Sequence, residues 1–168
     1  MASLRTKRAF AAVVDDRTRL LILGSLPSDA SLKAAQYYAH PRNAFWRLIG
    51  GVIGRDLASL PYPDRLDALR VAGVGLWDVI ASAERAGSLD AAIRSPEDAD
   101  LIGLIDSLPK LQAVAFNGAT ASKLGRRILA ARDGVTLVDL PSSSPAHARP
   151  FVEKAGRWAA LRAFVEKA

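Results

Sequence analysis

His40, Arg42 and Asn43 stand within AQYYAHPRNAFW, residues 35–46, beside Tyr37, Tyr38, Phe45 and Trp46. A chain that is only 7% aromatic concentrates flat rings next to an imidazole, a guanidinium and a carboxamide. Pro41 interrupts the stretch, and neither a two-residue nor a helical period runs through it, so strand alternation or a helical stripe does not account for the mixture. A surface for a flat polar ligand does. Two further segments carry similar groups. In GSLPS, residues 24–28, Gly24 lets backbone approach a ligand, Pro27 stiffens the turn, and Ser25 and Ser28 offer hydroxyls; a plain strand-exit turn would have the same composition. In SSSPAH, residues 142–147, three serines and a proline could set hydroxyls and amides on phosphate oxygens, or form an ordinary polar loop.

Composition limits the chemistry these groups can do. There is no cysteine, which excludes disulfides, cysteine-ligated iron–sulfur clusters and a thiolate nucleophile. His40 and His147 are the only histidines and lie too far apart to form a local metal motif, so neither metal nor cofactor is expected. Lys+Arg number 23 against 17 Asp+Glu, a net charge of +6, and the pI is about 10.1. That balance suits a polyanionic partner such as nucleic acid, although a basic soluble enzyme would share it. The start, MASLRTKRAF, has no following apolar stretch of signal-peptide length, and no segment approaches a membrane span. A soluble cytoplasmic protein, associated with the nucleoid through DNA and without a membrane partner, is expected.

Four apolar runs read as buried strands: Arg19–Gly24, Val74–Ile80, Leu111–Asn117 and Val135–Leu140. Helices are expected over Asn43–Ile53, Asp64–Ala72, Glu97–Leu108, Ala119–Arg132 and Phe151–Val165, the last from the spacing of Phe151, Ala155, Trp158, Leu161 and Val165. Alternating strands and helices imply right-handed crossovers, hence a three-layer α/β/α domain with a central four-stranded parallel sheet. At 168 residues one compact domain is expected, with residues 1–16 a loosely ordered leading segment. In such a sheet ligands bind beyond the carboxyl ends of the strands, and the three unusual loops, including the one at Asn117–Gly118, all follow strands.

Together GSLPS with YYAHPRNAFW, the strand GVGLWDVI, the FNG of residues 116–118 and LPSSSPAHA resemble the uracil-DNA glycosylase superfamily, and within it the hypoxanthine-DNA glycosylase (DNA-deoxyinosine glycosylase) family. The match runs in order from Arg19 to the closing helix. The resemblance implies a monofunctional glycosylase in base excision repair, which turns a deaminated base out of double-stranded DNA and hydrolyses its N-glycosidic bond with water. A monomer without cofactor is expected.

Carried over residue by residue, the resemblance implies catalytic roles for Asn43 and His40. Asn43 would orient the attacking water, or else only cap the helix it opens. His40 would donate to the leaving base or to a phosphate. Gly24, Ser25, Leu26, Phe45 and Asn117 would hold the base, Phe45 by stacking on it or else by packing in the core, and Asn117 by its amide or else by satisfying loop backbone. Arg42, Ser142, Ser143, Ser144, Ala146 and His147 would contact DNA. Two positions depart from the wider superfamily. Leu26 fills the place where many members carry Asp or Asn beside the water, and Leu140 the place where other branches begin the last loop with a histidine. Uracil, xanthine or mismatched thymine are the alternative bases, and a DNA-binding relative without catalysis is the alternative of another class.

Overall fold

The computed structural model describes residues 5–129 and 134–166. Strand β1 (Arg5–Arg8) is followed by β2 (Leu20–Gly24), buried throughout. Helices α1 (Asp29–Ala34), α2 (Phe45–Ile53) and α3 (Tyr62–Val71) lead to β3 (Val74–Asp78). A hairpin of β4 (Ile80–Arg85) and β5 (Ile93–Asp98), with a 3-10 turn at Asp90–Ala92 between them, precedes α4 (Leu101–Asp106). Then come β6 (Ala113–Asn117), α5 (Ala119–Leu129), β7 (Thr136–Leu140) and α6 (Phe151–Trp158), closed by a 3-10 segment at Ala159–Phe164.

The main sheet has the order β3-β2-β6-β7 and is parallel throughout. Successive side chains of a strand point to opposite faces, and the core divides accordingly. Leu20, Ile22, Ala113 and Ala115 pack with Phe45 and Leu48 of α2, Leu69 of α3 and Trp158 of α6. Leu21, Leu23, Val114 and Phe116 pack with Leu101 and Ile105 of α4 and Ala121 and Leu129 of α5. This is the three-layer α/β/α arrangement, and the central strands are covered on both faces as their apolar runs require. The chain leaves β2 toward β3, then returns to the other side of β2 as β6. The carboxyl ends of β2 and β6 therefore flank the topological switch point, where a crevice forms.

Several expectations need correction. The first residues are not loosely ordered from Arg5 onward: β1 pairs antiparallel with β4, and Val13 bridges Leu76. The run Val74–Ile80 is split, since β3 ends at Asp78 and Ile80 opens β4 in a second sheet, ordered β1-β4-β5. Glu97 and Asp98, expected to be helical, belong to β5, and α4 begins only after Asp100, whose Oδ1 accepts from the Gly103 amide at 3.0 Å. Pro96 is tolerated there because β5 is an edge strand. β7 is the other sheet's edge and leaves Thr136 and Asp139 exposed rather than covered on both faces. The closing helix stops at Trp158 and tightens into the 3-10 segment. Residues 130–132 of the expected Ala119–Arg132 helix lie outside the described residues.

Candidate active site

At the switch point lies a cavity of about 290 Å³ lined by the loops after β2, β6 and β7 and by Asn43. Its floor needs glycine. A Cβ on Gly24 would lie 2.6 Å from Asp78 Oδ1 and 3.0 Å from Tyr38 Oη, so any side chain would drive these groups out of place. Gly118, at φ +99°, turns the chain from β6 into α5 beside Ser142. Arg85, fully buried, donates from Nη2 to the Pro27 carbonyl and from Nε to the Gly87 carbonyl at 2.9 Å, which fixes the β2 exit loop from behind. On the opposite wall, Asn117 and Ser143 grip each other. The Asn117 Nδ2 donates to Ser143 Oγ at 2.9 Å, and the Ser143 amide donates to Asn117 Oδ1 at 2.9 Å. The Ala44 amide donates to the Ser143 carbonyl at 3.0 Å, joining the Asn43 loop to the serine loop.

Gly24, Ser25, Leu26, Asn43, Asn117, Ser142, Ser143, Ser144, Ala146 and His147 all line this one cavity. Asn43 Oδ1 accepts from the Phe45 amide at 2.9 Å, so its side chain does steady the start of α2, while its Nδ2 has no partner among the described residues. One end of the Asn43 carboxamide is thus used by the first residue of α2, and the residue also lines the cavity. Ser25 donates to Asp90 Oδ1 at 2.7 Å. Ser28 caps α1 by accepting from the Ser31 amide at 3.1 Å. Leu26 is buried and makes an apolar wall.

Other residues of the expected set stand apart from the cavity or are held by neighbours. Phe45 is completely buried among Tyr38, Trp46 and Trp158 and does not reach the cavity, so core packing, its alternative reading, is what it does. Tyr38 stacks on it, ring centroids 3.9 Å apart and planes at 21°, and lines the cavity together with Tyr37 and Phe10. Ser143 is only 1% exposed, and its Oγ accepts from Asn117, so burial rather than a donated bond sets this hydroxyl apart from those of Ser142 and Ser144. Asn117 in turn spends its amide largely on Ser143. His40 is not among the lining residues; its Nδ1 accepts from the Arg42 amide at 3.1 Å. The exposed Arg42 side chain also stands outside the cavity. Most of the aromatic stretch that suggested a ligand surface is core: the Trp46 indole donates to the Tyr37 carbonyl at 3.2 Å, and Tyr37 Oη to the Ala11 carbonyl at 3.0 Å.

Three further candidates, to which no role was assigned above, line the cavity: Tyr38, Asp78 and Asp90. Tyr38 has φ +54°, a region non-glycine residues seldom occupy, held by the stack on Phe45. Its hydroxyl, Asp78 Oδ2 and His147 Nε2 are buried polar atoms without a hydrogen-bond partner among the described residues, and all three belong to residues of this wall. In native interiors nearly all such atoms pair with protein groups, ordered water or a ligand. Burial pushes the Asp78 carboxyl up to about 7, helped by the Asp90 charge and opposed by Arg85. Burial also raises the Tyr38 phenol. His147 is held below its ordinary value by desolvation and by the Lys154 and Arg149 charges, which favours neutral imidazole. The signal for Asp78 was in the sequence as the one charged residue inside the apolar run GVGLWDVI.

Next to this cavity, sharing Ser142 and His147, is a wider one of about 620 Å³ lined also by Lys123, Arg149, Lys154 and Arg157. Lys154 is 4% exposed, donates to the Ser144 carbonyl at 3.1 Å, and has its ammonium form disfavoured by burial. A basic trough thus continues from the serine loop. Among the described residues no group of three or more His, Cys, Asp or Glu is placed to hold a metal ion, and no helix is long and apolar enough to cross a membrane.

A parallel sheet whose switch-point cavity carries an asparagine, a stacked aromatic ring and a serine loop leading to a basic trough has the chemistry to suit a flat polar group attached to a polyanion. The family model of the Uracil DNA glycosylase superfamily matches residues 11–164. A Methanosarcina acetivorans protein named Hypoxanthine DNA glycosylase is 43% identical over 155 residues, 92% of this chain and 97% of that protein. Its Methanosarcina barkeri namesake is 42% identical over 153 residues, 91% and 96% of the respective chains. The solution NMR structure of a Methanosarcina acetivorans protein, described as a candidate uracil DNA glycosylase, superposes with a TM-score of 0.84 at 41% identity and covers 94% of this chain and 97% of that one. The chain belongs to the Uracil DNA glycosylase superfamily and is by that membership a DNA glycosylase, a hydrolase of N-glycosyl bonds.

Proposed function

We propose that this protein is a monofunctional glycosylase that releases hypoxanthine from deoxyinosine in double-stranded DNA, acting as a monomer in the cytoplasm. The observation that carries the reading is the convergence of Asn43, the Gly24–Leu26 turn, Asn117 and the serine loop on one cavity. The names of the two Methanosarcina relatives support hypoxanthine as the base. A nucleotide must leave the stack to present its glycosidic bond, and the cavity at the switch point is where it would be received.

Once the base is in place, a water held by Asn43 attacks the anomeric carbon while the base departs. The Phe45 amide occupies one lone pair of Asn43 Oδ1 and fixes its rotamer, and the second lone pair and Nδ2 remain for the water. Having no titrating proton, Asn43 acts by orientation. Tyr38 offers the stacking face. Ser142 and Ser144, with the Lys123, Arg149 and Arg157 trough and the exposed Arg42, take the DNA backbone.

The variant Asn43→Ala tests this role. It should slow single-turnover base release at least about a hundredfold while changing the affinity for the same duplex only a few-fold, because a water-orienting amide acts in the transition state. Asn43→Asp, which keeps an acceptor for the Phe45 amide, controls for loss of the helix start. Release of free hypoxanthine is read by chromatography and the abasic product by alkaline cleavage; wild-type rates in folded Asn43→Ala would remove the assignment.

A further inference from the structure

Asp78 ends β3 with its side chain against Gly24 and Tyr38, on the cavity wall. It is 4% exposed; its Oδ2 has neither solvent contact nor a hydrogen-bond partner among the described residues, and Oδ1, the oxygen nearest Gly24 on the cavity wall, is the one a base would meet. An ionised carboxylate in that position would bear several kcal/mol of uncompensated desolvation, whereas a protonated one needs only an acceptor for its O–H. A departing purine supplies acceptors at its carbonyl oxygen and imidazole nitrogens, and it gains negative charge as the glycosidic bond breaks.

We propose that Asp78, carrying its proton, is a further catalytic residue, the general acid that delivers a hydrogen bond and then its proton to the leaving base. The assignment rests on the glycosylase reading. In the step, the C1′–N9 bond breaks with its electron pair going to the purine, the water oxygen bonds to C1′, and the Asp78 proton passes to the base. The proton lost by the water restores Asp78 through solvent, so free neutral base and an abasic hydroxyl result.

The groups facing Asp78 favour this state. The Asp90 charge on the 3-10 turn opposes ionisation, the phenols of Tyr37 and Tyr38 bring no cation, and among the described residues Arg85 of β4 is the cation acting on it. Burial outweighs Arg85 and raises the carboxyl to about 7. A bound base covers the group further and moves it higher still. An acid near neutrality is well matched to general-acid work.

Single-turnover release of hypoxanthine, with enzyme saturating a deoxyinosine duplex from pH 6 to 9.5, tests this. The wild type should lose rate by about tenfold per pH unit beyond a midpoint at or above about 7. Asp78→Asn keeps a donor but no titrating proton. It should be roughly 10- to 100-fold slower than wild type at pH 6 and level across the range. A wild-type rate that is level or rises with pH, or an alkaline fall that persists in Asp78→Asn, would overturn the proposal and leave the glycosylase reading standing; a wild type that releases no base at any pH would overturn both. Should Asp78→Asn not fold, the carboxyl carbon resonance of Asp78 in the free wild-type protein decides: a midpoint near 7 supports the assignment and one below 5 contradicts it.

Discussion

Tyr38 and Phe45 form one stack with two duties. Phe45 is wholly buried against Trp46 and Trp158 and anchors α2, while Tyr38, in a strained backbone conformation, lies over it and meets the cavity. Truncating Phe45 should therefore damage the fold: Phe45→Ala removes a fully packed ring, and about 3–5 kcal/mol of unfolding free energy should go with it in urea melts. Truncating Tyr38 should spare more stability and lose the base. For Tyr38→Ala we expect deoxyinosine duplex binding to weaken by an amount set by stacking of about 1–3 kcal/mol, with little change on undamaged duplex. Equal effects of the two substitutions on stability would refute this division. Sequence order could not reveal it, because AHPRNAFW shows which residues are near one another in the chain but not which of two adjacent aromatic layers faces inward. The positive φ at Tyr38 is invisible in the same way.

At the scale of elements, two loops are held by side chains, one of them by a pair that the sequence suggested for ligand contact and the other by an arginine that it did not single out. Asn117 and Ser143 satisfy each other through two hydrogen bonds, and Arg85 secures the β2 exit loop from the second sheet. Asn117→Ala leaves the Ser143 amide and hydroxyl without these partners, at a cost of roughly 1–3 kcal/mol. Hydrogen exchange at Ser143 should accelerate accordingly while the β2 and β6 amides stay protected; unchanged exchange at Ser143 would show that the clamp does not hold the loop. The four main strands were legible because each is an apolar run ended by a turn, and with them the layer order and the switch point followed. The second sheet was not. Its strands carry Arg, Lys, Ser, Glu and a proline, and although β4 buries Ile80 and Ala83, no continuous apolar run announces the three strands, which are defined by pairing with one another. Lys7, paired with Asp29, and Arg85 lie buried beneath this sheet, so residues that read as surface charge hold the cavity's rear wall.

For the whole molecule, the net charge of +6 is not spread evenly in its effect: Lys123, Arg149, Lys154 and Arg157 line one trough that joins the cavity at Ser142 and His147. Backbone contacts there would register the duplex and leave recognition of the base to the cavity. That cavity has Leu26 where a polar group would serve water in many uracil-cleaving relatives, and it is lined by Tyr38, Asp78 and His147. A purine brings more stacking area and more hydrogen-bonding atoms to such a site than a pyrimidine, and groups left unpaired by the smaller base raise its barrier. Size alone excludes nothing smaller than hypoxanthine, so the preference is one of rate. The decisive measurement is single-turnover release from two duplexes that differ only in carrying hypoxanthine or uracil at one position, opposite each partner base in turn. Hypoxanthine should leave at least about tenfold faster, the equivalent of one or two unmade hydrogen bonds; faster release of uracil opposite every partner base would contradict the account.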